Sequence, residues 1–447
     1  MAYKFLIETF GCQMNKLDSE LVADSLTARG LEETRILKEA DIILINTCSV
    51  RQHAEDRVYS RVGALKFLKK RKPNLVIGLI GCMAEKEKEN IFSRLPHVTL
   101  VCGPSNLSEI GEISENLLSG RDLEKRFVAV GGSCESIEKT RNFCARRLFA
   151  YVSVVRGCDR FCSYCVVPYV RGRRLCREIE DVKREVESLI RAGAKEITLL
   201  GQDVNSYQTA KGERLPDLLR VLSPIPNLLR LRFITSHPAS VDERLFEAMR
   251  DLNNVCEYLH LPAQSGSNRI LAAMKRGYTR DEYLHKASLA RSIVPGVEIA
   301  SDFIVGFPGE SDEDFSETVS LSREAHFANS FVFKYSARPG TRAAEMTDDV
   351  PQTEKARRNK ILLSIQQEIS RELQKSLEGK RVQVLVEGVS KKDKSRLTGR
   401  TRSNRIVVFE GDESVTGRLM EVEITGSTAL TLFGKLLTRV NEVRRQP

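Results

Sequence analysis

Apolar positions arrive along this chain in three rhythms. Up to residue 118, short unbroken apolar runs alternate with stretches of helical period: YKFLIETFGC then LDSELVADSLTARG, ADIILINTC then AEDRVYSRVGALKFLKK, LVIGLIGC then AEKEKENIFSRL, and HVTLVCGPS then LSEIGEISENLLSG. Unbroken runs suit strands buried on both faces, and strands alternating with helices predict a doubly wound parallel sheet of flavodoxin type. Residues 119–146 mix Gly, Ser and charge without a period and read as a linker, in which Cys134 and Cys144 are incidental. From 147 to 375 the alternation resumes, with FAYVSVVRG, KEITLLG, LRLRFITS, CEYLHLP, VEIASDFIVG and SFVFKYS separated by helical patterns such as REIEDVKREVESLIRAGA. Six such units predict a partial (βα)6 barrel of TIM type, open because it falls short of eight, with its site at the carboxyl ends of the strands. From 376 to 441 the runs RVQVLVEGV, SRLTGRT, RIVVFEG, GRLMEVEITG and STALTLFGKL follow one another without helices and predict a small five-stranded β-barrel. The fold class expected is α/β multidomain.

Composition narrows the setting. A length of 447 residues exceeds what one core supports. No apolar run nears the ~18 residues that a spanning helix needs, and MAYKFLIETFGCQMN lacks a signal-peptide pattern, so a cytoplasmic protein without a membrane partner is expected. Eleven cysteines, an odd number in a reducing compartment, point to metal or redox chemistry rather than disulfides. The net charge is +10, and the stretch from Lys375 onward holds 15 Lys and Arg against 9 Asp and Glu, a surplus of +6. A charge run is often only a solvated face. On a small barrel with the loops KKDKSR and GRTRSNR and a neighbouring Phe409, nucleic-acid binding becomes the better reading, with Arg396, Arg400, Arg402 and Arg405 as candidate phosphate contacts.

Two cysteine patterns carry the candidate chemistry. Cys12, Cys48 and Cys82 each close a predicted strand of the first sheet, 36 and 34 residues apart, at the end where open parallel sheets bind ligands. Each could be a small buried hydrophobe; repetition at one topological place argues against that for the trio. Cys102 closes the fourth strand in the same way, and the pattern leaves it open. The second pattern is CDRFCSYC, which offers Cys158, Cys162 and Cys165 and no further cysteine before Cys176. Structural zinc and electron-transfer 4Fe-4S sites take four protein ligands, whereas three leave a coordination position for chemistry. Catalytic zinc is the rival, but it favours His, and none follows until His237. A cluster with one accessible iron is the stronger inference.

Placed at the end of the first strand of a partial barrel, C-x3-C-x2-C with Tyr164 before the last cysteine resembles the radical S-adenosylmethionine enzymes. ETFGCQMNKLDSE, INTCSVRQHAEDRVYSRVG, LIGCMAE, VRGCDRFCSYCVVPYVRGRR, LLGQDVNSY, DFIVGFPGE and YSARPGT extend the resemblance, over nearly the whole chain, to the methylthiotransferases of that superfamily. The resemblance implies two 4Fe-4S clusters: Cys158, Cys162 and Cys165 hold one, and Cys12, Cys48 and Cys82, selected over Cys102, hold an auxiliary one. It implies an RNA-binding TRAM domain for the last barrel. GCQMN and NTCSVR look most like the members that act on N6-dimethylallyladenosine at position 37 of tRNA, in the anticodon stem-loop. Two S-adenosylmethionine molecules per turnover would then serve, one as methyl donor and one as source of the radical that activates C2. Tyr164, Gln202, Asn205 and Asp302 are the expected S-adenosylmethionine contacts, although turn formation would also explain the last three. His237 reads as a satisfied loop histidine. Cys176 stands where the family usually has Ser, and Arg177 keeps the Arg. A flavodoxin-type electron donor, a sulfur or cluster donor system and a monomeric state complete the expectation. The alternatives are the sister reaction on a ribosomal-protein aspartate and a non-enzymatic iron-sulfur redox sensor that binds RNA.

Overall fold

The computed structural model describes residues 2–49, 52–119, 126–132 and 147–439. Its first sheet is parallel throughout, in the order β2-β1-β3-β4-β5-β6, with β1 Lys4–Thr9, β2 Glu32–Glu33, β3 Ile42–Thr47, β4 Val76–Gly81, β5 Leu100–Cys102 and β6 Phe127–Ala129. Strands β3 and β4 are buried along their whole length, which explains the absence of polar alternation in their sequences. Helices Gln13–Ala28 and Ile110–Leu118 cover one face through Leu17, Leu21 and Ile110; Gln52–Arg71 and Asn90–Arg94 cover the other through Val58, Val62 and Ile91. The doubly wound sheet is therefore the one the alternation predicts, with two short additions, the first of them Glu32–Glu33 beside β1. Within the span 119–146, Phe127–Ala129 adds a strand beside β5. Three residues are too few to leave a periodic signal. The rest of that span from 120 to 125 and from 133 to 146, with Cys134 and Cys144, lies outside the described residues, as does 440–441 at the far end.

The central domain runs from β7 Phe149–Ser153 through a two-stranded ribbon, β8 Val155–Arg156 with β9 Leu175–Cys176, to β10 Glu196–Leu200, β11 Arg230–Ile234, β12 Tyr258–His260, β13 Glu298–Val305 and β14 Asn329–Lys334. Strands β7, β10 and β11 form one parallel half and β12, β13 and β14 the other. A parallel bridge between Leu231 and Val255 joins them, giving six strands in an open barrel. Its helices start where the sequence caps them: Thr279 with Glu282 and Ser311 with Asp314 form capping boxes, and Asp242 accepts the N–H of Leu245.

The last five strands, β15 Arg381–Val389, β16 Leu397–Thr401, β17 Ile406–Glu410, β18 Leu419–Ser427 and β19 Thr431–Arg439, close in the order β15-β16-β17-β19-β18. Phe409, read from the sequence as a neighbour of the basic loops, is 1% exposed and belongs to the barrel core. This barrel docks on the amino ends of the central strands. Arg230 and Arg232 of β11 donate to the carbonyls of Arg400, Thr401 and Arg402 at 2.6 to 2.8 Å. In return Arg402 forms a two-point pair with Glu257 at 2.7 and 2.5 Å, and Arg405 reaches Glu298 at 2.7 Å. Both arginines are thus engaged inside the protein, and the phosphate-contact set expected from the sequence loses Arg402 and Arg405 for that physical reason. Arg396 and Arg400 remain part-exposed beside Asp393 and Glu387, and Lys391, Lys392 and Lys394 are exposed.

Candidate functional site

In the first sheet the strand order reverses between β1 and β3, and Cys12 and Cys48 follow these two strands directly. This is the switch point at which such sheets bind ligands. Cys82 opens the helix after β4. Gly11 has φ +145°, and a Cβ there would lie 2.7 Å from the Cβ of Cys48, so only glycine lets the two strand ends approach this closely. Beneath the thiols runs a buried amide ladder. Asn15 Nδ2 donates to Asn46 Oδ1 at 2.9 Å and to the Thr47 carbonyl at 2.8 Å, while the Cys12 thiol donates to Asn15 Oδ1 at 3.2 Å. The hydrogen bond with Cys48, then Arg171 and the backbone N–H groups of Asn15 and Met14, bring the Cys12 pKa down to about 6. Burial pushes the Cys82 thiol up, against the pull of Arg171.

The loop Cys158–Cys165 leaves β8 through Gly157, φ +73°, where a Cβ would collide with the carbonyls of Gly172 and Arg173. The Cys158 N–H donates to the Gly172 carbonyl at 3.1 Å, and Ser163 ties the loop to Ala273 and Met274. Arg276, buried, donates to Cys162 Sγ at 3.3 Å, to Tyr164 Oη at 3.4 Å and to the Pro262 carbonyl at 3.0 Å. Burial raises the Cys158 thiol and brings Cys165 up to about 12.

Of the other sequence-predicted residues, Gln202, Asn205 and His237 stand at the carboxyl mouth of the same barrel, after β10 and β11. Gln202 Oε1 and Asn205 Nδ2 are buried without hydrogen-bond partners, as are Asp203 Oδ1 and His237 Nε2. Asn205 Oδ1 accepts from Ser236 at 2.9 Å. His237 Nδ1 accepts the N–H of Ala239, which puts the proton of the neutral ring on Nε2, and burial keeps the ring neutral. It is therefore not fully satisfied, contrary to its reading from sequence. Asp302 lies within β13, opposite His260 Nε2 at 3.3 Å. Cys176 accepts the N–H of Gln208 at 3.4 Å on the ribbon, and Cys102 sits in the apolar core among Leu100, Leu107 and Ile110.

The two trios are neighbours. The short helix Val167–Val170, which follows the loop, packs Val166 and Val170 directly on Cys82. Arg171 at its end donates Nε to Cys82 Sγ at 3.2 Å and Nη2 to Asp18 at 2.8 Å. Asn15, Asn46, Asp18, Arg171 and Arg276 were not singled out as site residues. A signal was present for Asn46 alone, a polar residue in the otherwise apolar run IILI two positions before Cys48.

Among the described residues, no three His, Cys, Asp or Glu side chains converge as they would around one metal ion. A cubane asks for something different, because each of its thiolates meets a separate iron. Each trio fits that demand. Three unbridged thiols stand together, burial opposes ionisation of Cys82, Cys158 and Cys165 until positive irons offset it, and one buried guanidinium faces a sulfur of each set. Among the described residues, no fourth cysteine joins either.

Family models match in three stretches: the Uncharacterized protein family UPF0004 at residues 4–103, the Radical SAM superfamily at 152–322 and the TRAM domain at 375–437. A protein of Carboxydothermus hydrogenoformans named tRNA-2-methylthio-N(6)-dimethylallyladenosine synthase is 43% identical over 438 residues, covering 97% of this chain and 99% of its own length. One of the same name from Thermoanaerobacter sp. strain X514 is 44% identical over 442 residues, covering 96% and 92%. Among solved structures, the radical S-adenosylmethionine methyltransferase TsrM from Kitasatospora setae superposes with a TM-score of 0.57 at 15% identity, covering 77% of this chain and 75% of its own. That likeness is one of fold.

Proposed function

The chain belongs to the tRNA-2-methylthio-N(6)-dimethylallyladenosine synthase family, and we propose from the membership and the site that it replaces the C2 hydrogen of N6-dimethylallyladenosine in tRNA by a methylthio group. It is a radical S-adenosylmethionine methylthiotransferase and uses S-adenosylmethionine with 4Fe-4S clusters. The observation that carries the reading is the pair of adjoining three-cysteine sets, with no fourth cysteine beside either among the described residues.

When bound, these cofactors supply the one-electron chemistry, the carbon radical and the sulfur that an unactivated ring C–H requires. The chain's own residues do the rest. Cys158, Cys162 and Cys165 form one ligand set and Cys12, Cys48 and Cys82 the auxiliary set. Arg276 fixes Cys162 and Tyr164 in one orientation. At the mouth, the orphaned acceptors Gln202 Oε1 and Asp203 Oδ1 suit the ammonium, sulfonium and ribose hydroxyls of S-adenosylmethionine, and the donors on Asn205 and His237 suit its carboxylate. Asp302, with His260 Nε2 at 3.3 Å, is a further candidate contact for S-adenosylmethionine. Arg396 and Arg400, with the exposed Lys391, Lys392 and Lys394, offer phosphate contacts to the anticodon stem-loop.

The division proposed is an auxiliary-cluster domain at 1–118, a radical core at 147–375 and an RNA-binding barrel at 376–441. One chain contributes both trios, which supports a monomer. Nine cysteines outside any disulfide among the described residues suit the reducing cytoplasm, and among those residues no helix is long and apolar enough to cross a membrane. A flavodoxin-type donor for the electron and a sulfur or cluster donor to renew the sulfur complete the proposal. Anaerobic incubation of reconstituted protein with S-adenosylmethionine, reductant and tRNA carrying the dimethylallyl group, followed by nucleoside mass spectrometry, tests it. A methylthio-nucleoside is expected; its absence, with modification of the ribosomal-protein aspartate instead, would assign the sister activity.

A further inference from the structure

Arg171 reaches out of the domain that carries it. It ends the helix Val167–Val170 of the central domain, yet its guanidinium is buried among residues of the first. Nε donates to Cys82 Sγ at 3.2 Å, and Nη2 donates to Asp18 Oδ2 at 2.8 Å and Asn15 Oδ1 at 3.4 Å. Asp18 is 0% exposed and also accepts from Arg156 Nη1 at 2.9 Å, two residues before Cys158. A continuous buried path thus runs from the strand that leads into one trio, through Arg156, Asp18 and Arg171, to a sulfur of the other.

An ordinary interdomain salt bridge would pair guanidinium with carboxylate and leave the thiol alone. Here Asp18 divides a single negative charge between two guanidiniums, and Arg171 turns its Nε toward sulfur. A hydrogen bond and a positive charge at a ligand sulfur both favour the more electron-rich state of a cluster, and such hydrogen bonds are among the terms that set its reduction potential. We propose that Arg171 is a positioning residue for the auxiliary cluster: it fixes the Cys82 sulfur, raises the cluster's reduction potential, and makes both depend on docking of the central domain. The inference rests on the reading that Cys12, Cys48 and Cys82 hold that cluster.

The test uses the full chain with Cys158, Cys162 and Cys165 replaced by Ala, so that only the auxiliary cluster is observed. An EPR-monitored redox titration should show the midpoint potential moving to more negative values in Arg171→Gln than in this parent, with faster iron loss to a chelator. Arg171→Lys keeps the charge but cannot hold Asp18 and Cys82 together, and should show a smaller shift in the same direction. If Arg171→Gln fails to fold, Arg171→Lys carries the comparison alone. Potential and iron retention equal to the parent's would overturn the proposal. A parent without its four irons would overturn the ligand reading beneath it, which is a separate outcome.

Discussion

At the scale of the residue, the cysteines differ in what their surroundings let them do. Cys12 is exposed and its thiol is brought down to about 6, whereas Cys48, Cys82 and Cys102 are buried. In cluster-free protein the Cys12 thiolate is therefore half formed near pH 6: protonated below it, nearly complete above pH 7. Iodoacetamide labelling followed by peptide mass spectrometry should find Cys12 modified first, at a rate that levels off above about pH 7. A thiol at its ordinary ~8.5 would keep accelerating beyond that pH. Cys102 makes the opposite case. Cys102→Ala should leave the iron content unchanged and cost about 1 kcal/mol in urea unfolding through lost packing; lost iron would make it a ligand. The trio at 12, 48 and 82 was legible because each cysteine interrupts a strand-to-helix junction. Its supports were not: Asp18 and Arg171 are ordinary charged residues in sequence, and only folding across 153 positions brings them to 2.8 Å.

At the scale of the element, unbroken apolar runs, helical period and short β-type runs each correspond to a layer that the chain forms. Hydrophobic periodicity reports on burial, so it located the longer strands of all three domains and missed the two- and three-residue ones, Glu32–Glu33, Phe127–Ala129 and Leu175–Cys176. It could not report what a strand end touches. Arg402 and Arg405 looked like free cations because their partners, Glu257 and Glu298, stand more than a hundred residues away. Arg405→Ala should strand Glu298 at a largely buried interface. We expect a loss of about 3 kcal/mol in urea unfolding and faster proteolysis between the central domain and the barrel, without a change in the salt dependence of tRNA affinity. Replacing Lys391, Lys392 and Lys394 with Ala should instead leave stability nearly untouched and reduce the slope of log affinity against log salt by about 2. A flattened slope in Arg405→Ala would return that residue to the RNA surface.

At the scale of the whole molecule, the chain directs the carboxyl ends of the first sheet and the mouth of the central barrel toward one shared region. The last barrel is fastened to the opposite, amino ends of the central strands. Chemistry and docking thus use opposite ends of the same six strands, the division expected of barrels in which one end serves catalysis and the other stability. The central claim is that two three-thiolate sets in one chain each hold a four-iron cluster. Iron, sulfide and zinc counting on anaerobically prepared wild type, beside the Cys12→Ala, Cys48→Ala, Cys82→Ala triple variant, addresses it most directly. The account predicts about eight irons per chain falling to about four; zinc in place of iron, or about four irons that the triple substitution leaves untouched, would contradict it.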